Sequence, residues 1–226
     1  MKILLNGDSN MAGEELADVN QGLGYQFCRM LNGTPINISL TGASNDRIYE
    51  TTMEYIKDES PGFVLIGWSE MSRLQWFTTA EGYPNFYEIN NLGVGRQPLP
   101  SEYQARYDHW QQCMANSAEF RKQMSLYWHE KIYNLHSLLN YKKIPHLFFH
   151  SFHRFHVYDP AFQLDWNNRF IDPYENNGPT NSYIQWCMQR NYQEITPGWY
   201  HYEPAAQQAW AELLVNHVHK HDLLVI

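Results

Sequence analysis

Cysteine is scarce in this chain: Cys28, Cys113 and Cys187 are the only three in 226 residues. Widely separated and odd in number, they fit free thiols in a reducing, cytoplasmic setting and argue against a disulfide framework or a zinc knot. Positive charge is also short, with 16 Lys and Arg against 24 Asp and Glu and a formal net charge of −8. With no basic stripe, nucleic acid is not an expected partner. No run of eighteen apolar residues occurs, so no membrane span is expected. The N-terminus lacks the basic-then-apolar pattern of a secretory signal. A phosphate-cradling glycine loop is missing as well. Gly93-Val94-Gly95 follows no evident strand and opens no helix, which argues against a nucleotide or flavin binder.

Aromatic residues, by contrast, are abundant at 15% of the chain, including eight Trp and sixteen Tyr. Many fall in segments that read as loops, where they would offer stacking surfaces for a sugar or a face for a protein partner.

The length suits one domain with a sizeable core. Short apolar strands are expected over Lys2–Asn6, Pro35–Leu40, Phe63–Gly67 and Ile144–Phe149. Helices are expected over Gly24–Leu31, Asp46–Lys57, about Ser117–Asn140 and about Pro204–His219. The third of these carries Phe120, Met124, Trp128, Leu135 and Leu139 along one stripe, and the last carries Ala206, Trp210, Leu213, Leu214 and His217. Strands separated by helices predict an α/β fold of about five mostly parallel strands, covered on both faces. Two aromatic-rich insertions, at about 75–115 and 152–196, interrupt the rhythm of this single domain and are expected to wall the edge of the sheet where the strands end.

Ser9 is the leading candidate for chemistry. In Leu4-Leu5-Asn6-Gly7-Asp8-Ser9 an apolar strand runs into a tight turn, and a helix can begin at the serine. That geometry presents a hydroxyl at the sheet edge with backbone N–H groups beside it. A serine nucleophile needs a base. His201, in the turn-rich segment Pro197-Gly198-Trp199-Tyr200-His201-Tyr202-Glu203-Pro204, precedes the terminal helix and would face the same edge.

The order of these blocks resembles that of the SGNH (GDSL-like) hydrolases, a family of serine esterases and acyl hydrolases with a flavodoxin-like three-layer α/β/α fold. Gly7-Asp8-Ser9 matches the first block, and Gly42 in Thr41-Gly42-Ala43 the second. His201, with Trp210-Ala211 nine residues on, matches the last. The resemblance implies Ser9 as nucleophile, His201 as base and the Gly42 N–H as an oxyanion donor, with no metal and no cofactor. Two positions depart from the family pattern. In Gly67-Trp68-Ser69-Glu70, Ser69 stands where an oxyanion asparagine belongs, and Gly198 stands where an aspartate would orient the histidine. Glu203, Glu194, Asp172 or a backbone carbonyl are the candidate substitutes for that aspartate. Asp8 reads as an anchor of the turn.

Around this core, Asn45, Trp68, Glu70, Arg73 and His150 are candidates for substrate contact. For Asn45 the competing role is a helix cap, and for Arg73 a salt bridge to Glu70. His150, His153 and His156 recur every third residue, yet no acidic or cysteine ligand lies in the run, so it reads as an aromatic loop and not a metal site. His217, His219 and His221 suit the negative end of the last helix. The expected function is hydrolysis of a small ester, with O-acyl groups on a carbohydrate as the substrate class. The alternative is a binding or assembly protein that keeps the fold after its chemistry has decayed.

Overall fold

In the computed structural model, residues 1–77, 86–90, 93–94, 101–155, 164–174 and 182–225 are described. Four strands, β1 (Lys2–Gly7), β2 (Thr34–Asn37), β3 (Phe63–Trp68) and β7 (His146–His150), form a parallel sheet in the order β2-β1-β3-β7. A single parallel bridge from Phe148 to Phe170 occupies the fifth position. The order is that of a flavodoxin-like doubly wound sheet. The three central strands are apolar along both faces, as strands covered on both sides must be, and nearly every residue in them is buried. β2, at the edge, tolerates Pro35 because a proline there removes no internal ladder bond.

Helices α2 (Leu23–Met30), α6 (Tyr183–Gln189) and α7 (Pro204–Lys220) cover one face, packing Phe27, Trp186, Trp210 and Leu214 against Ile3, Leu5, Leu65 and Phe149. Helices α3 (Asn45–Asp58) and α5 (Ala118–Tyr141) cover the other, packing Ile48, Ile56, Trp128 and Leu135 against Leu4, Val64, Ile66 and Phe148. Successive strand residues supply opposite cores because their side chains alternate between faces. The result is a three-layer α/β/α fold. Among the described residues, no helix is long and apolar enough to cross a membrane.

Within 75–115, a read-through of loops is replaced by structure: β4 (Leu74–Phe77), β5 (Phe86–Asn90) and β6 (Gly93–Val94) form a small antiparallel sheet, followed by α4 (Ser101–Asn116). Gly93-Val94 is thus a strand partner and not a loop. Within 152–196, Phe155, Trp166, Phe170, Tyr174, Tyr183 and Trp186 are buried in the two cores. Much of the aromatic excess is therefore internal packing. His156 lies outside the described residues.

Candidate active site

The serine sits on a turn that glycine alone permits. Gly7 and Gly67 are paired in register on β1 and β3. A Cβ on Gly7 would lie 2.5 Å from Met11 Cγ and 2.8 Å from the Gly67 carbonyl oxygen, and one on Gly67 would meet Phe149 at 2.9 Å. Without those carbons the chain reverses from β1 straight into the one-turn helix α1 (Ser9–Ala12), whose Met11 packs down over the strand ends. Ser9 is the first helical residue, a position whose N–H has no intrahelical acceptor, and the residue is 4% exposed.

Asp8 caps this helix and fastens it to the sheet. One carboxylate oxygen accepts from Asn10 N–H at 3.1 Å and from the Ser151 hydroxyl at 2.8 Å. The other accepts from the Ser69 hydroxyl at 3.2 Å and from Arg73 Nη1 at 3.3 Å. The ends of β1, β3 and β7 are thereby joined through one buried carboxylate. Arg73 also donates to Ser69 Oγ at 2.7 Å, and its guanidinium lies over the Phe152 ring at 4.9 Å. Its ion pair is with Asp8 and not with Glu70. Glu70 instead starts the tight turn in which Arg73 N–H donates to the Glu70 carbonyl, turning the arginine side chain inward.

His201 comes from a short hairpin. Ile195 N–H donates to the His201 carbonyl at 2.8 Å, and Glu203 N–H donates to Gln193. Gly198 and Tyr200 take left-handed φ values of 83° and 61° at the tip. His201 is buried, and its Nδ1 lies 2.8 Å from Glu15 Oε2. Glu15 follows shortly after α1: Gly13 closes that helix, and Glu14 N–H donates to the Ser9 carbonyl at 3.0 Å. The acids expected near His201 are engaged elsewhere. Glu194 accepts from Gly198 N–H, Glu203 accepts from Gln193 N–H, and Asp172 borders Leu213 and Asn216 on α7. Burial raises the Asp172 carboxyl above its ordinary range, with Arg154 opposing.

The remaining candidates separate by layer. Gly42 lies buried in the turn after β2 at φ 76°, where Leu40 N–H reaches the Gly7 carbonyl and ties that turn to β1. The neighbouring Thr41 hydroxyl donates to Glu14. Ser44, and not Asn45, caps α3. Asn45 instead clamps the backbone of Ser69, accepting from its N–H at 2.8 Å and donating to its carbonyl at 3.1 Å. Trp68 is fully buried against Phe148. His150 is buried among Phe155, Phe170 and the Pro173 carbonyl. Glu70 lines a cavity of about 230 Å³ beyond β3, together with Met71, Gln111, Arg121 and His153. Among the described residues, no group of three His, Cys, Asp or Glu side chains is arranged to hold a metal ion. His217 is not wholly solvated, since it bonds the Asn168 carbonyl at 2.7 Å.

Neither a protein-family model nor a curated protein sequence matches this chain. Among solved structures, one titled "Crystal Structure of TesA" aligns with 98% of this chain and 99% of its own, at 12% identity and a TM-score of 0.48.

Proposed function

We propose that this protein is a serine hydrolase of small esters, with Ser9 as nucleophile and His201 as general base. The observation that carries the reading is the seat of the imidazole. Its Nδ1 rests on Glu15, six residues from the serine on a loop that is itself bonded to the Ser9 carbonyl. In the proposed reaction His201 Nε2 takes the proton of Ser9 Oγ as that oxygen bonds the ester carbonyl carbon. The N–H groups of Ser9 and Gly42 receive the oxyanion. Collapse breaks the carbon–oxygen bond to the alcohol, which leaves with the proton from His201. Water, deprotonated by the same nitrogen, then releases the acid and restores Ser9. Ser69, whose hydroxyl donates to Asp8, acts here as a brace beneath the site. O-acyl groups on a carbohydrate are the proposed natural class, supported by Trp199, which is 55% exposed two residues from His201 and offers a stacking face.

Hydrolysis of p-nitrophenyl acetate and butyrate by wild type, Ser9→Ala and His201→Ala tests this directly. Turnover lost in both variants is the expected result. Turnover absent in wild type, or equal in Ser9→Ala, would leave a fold kept for binding.

A further inference from the structure

We infer that Glu15 is the positioning carboxylate of His201, holding its imidazole in the tautomer that serves as a base. The inference rests on the hydrolase reading for its catalytic consequence, but its structural content is independent. An ionised carboxylate only accepts hydrogen bonds, so the nitrogen 2.8 Å from Glu15 Oε2 must carry the hydrogen. Nδ1 is therefore the protonated nitrogen of the neutral ring, and Nε2 keeps its lone pair. When Nε2 takes a proton, the positive ring lies against a negative oxygen in a largely dry setting, with the two side chains 8% and 20% exposed.

A second observation is independent of the contact. Glu15 has φ 64°, a left-handed backbone that a glutamate rarely adopts and that costs free energy to maintain. Its neighbours hold it there. Gly13 caps α1 in the same left-handed region, and Glu14 is tied on one side to the Ser9 carbonyl and on the other to the Thr41 hydroxyl. Held there, its carboxylate meets the hairpin that carries His201. The hairpin of His201 offers no rival. Three residues before the histidine stands Gly198, with open space around it, and Glu194 and Glu203 bind backbone N–H groups. Serine and positioning acid thus belong to one short segment, and the histidine is brought to the acid.

Two variants are suited to the test. Glu15→Gln keeps the shape and halves the acceptor, whereas Glu15→Gly removes it at a backbone angle that glycine accommodates. Ring-nitrogen NMR on labelled protein, with His201→Ala to assign the signal, reads the tautomer whether or not ester is cleaved. Wild type should show His201 with Nδ1 protonated and Nε2 bare, and both variants should move the population toward Nε2–H. On p-nitrophenyl acetate, kcat should fall about 10²- to 10⁴-fold in both with KM changed little, and Glu15→Asp should recover part of the rate. An unchanged tautomer in both variants, or an unchanged kcat, would overturn the assignment. A tautomer shift in the variants, with a wild type that shows no Ser9-dependent turnover, would sustain the positioning role and remove the hydrolase.

Discussion

His136 and His146 form a buried pair whose titration should govern acid stability. His146 Nδ1 donates to the Ile144 carbonyl at 2.9 Å, leaving Nε2 to accept from His136 Nδ1 at 2.9 Å. Asn140 Nδ2 in turn donates to His136 Nε2 at 2.9 Å. Every hydrogen in this chain is placed with both rings neutral, and an added proton would set donor against donor. Burial first, and then the Arg169 charge, lowers His136 to about 4. Burial, with His136 and Arg169 adding, lowers His146 to about 3. Below the ordinary value of 6.5 the unfolded chain takes up protons that the folded chain refuses, so stability falls as the pH drops. The fall begins near pH 6.5 and ends near pH 4 for one ring and pH 3 for the other. At pH 5 the unfolded rings are about 97% protonated, which costs roughly 2 kcal/mol each and about 4 kcal/mol for the pair relative to pH 7. Urea unfolding followed by tryptophan fluorescence at pH 7 and pH 5 measures this loss. The variant His136→Gln/His146→Gln should lose about 4 kcal/mol less than wild type between the two pH values, whatever its starting stability. His129 is present in both proteins and cancels. Equal losses in the two would refute the reasoning.

Three further outcomes follow from the site. Asp8→Ala leaves the Arg73 guanidinium buried without its counter-charge and should cost about 3–5 kcal/mol by thermal or urea unfolding. Gly7→Ala places a carbon against Met11 and the Gly67 carbonyl, so it should destabilise by about 1–3 kcal/mol and displace Ser9, with loss of fluorophosphonate labelling as the second readout. Glu15→Gly should unfold about 1 kcal/mol harder than Glu15→Ala, because glycine accepts the left-handed backbone, while both remove the carboxylate.

The parts of this fold that sequence alone made legible are those whose signal is local. β1 and β3 are short apolar runs closed by turn residues, and their observed spans, Lys2–Gly7 and Phe63–Trp68, each reach one residue beyond expectation. The long helices α5 and α7 announced themselves through their stripes, in which Trp128, Leu135, Leu139, Ala206, Trp210 and Leu214 are buried, whereas Phe120, Met124, Leu213 and His217 are only half-buried. α6 did not, because seven residues make fewer than two turns and leave no period to detect. α4 did not because Ser-Glu-Tyr-Gln-Ala-Arg-Tyr-Asp carries no continuous apolar face. At the site, Ser9 and His201 stood in recognisable turns. Glu15 lay in a polar stretch with nothing to mark it, and its partner is 186 positions away. The expected pairing of Arg73 with Glu70 failed for a related reason: sequence proximity favoured Glu70, but the turn aims the side chain at Asp8, 65 residues back.

That long reach has a consequence for how the protein is made. Ser9 and Glu15 emerge early from the ribosome, but the imidazole that Glu15 holds is added only after the strands of the parallel sheet have been synthesised. His201 then takes its place as the next segment, α7, packs along α2, where Leu23 N–H donates to Gln207 at 3.1 Å. Under the proposed function, a chain without the His201 hairpin would carry an ordinary, unactivated serine. On that reading, reactivity would follow the docking of the His201 hairpin and α7, so labelling of Ser9 would report that this late segment has folded into place.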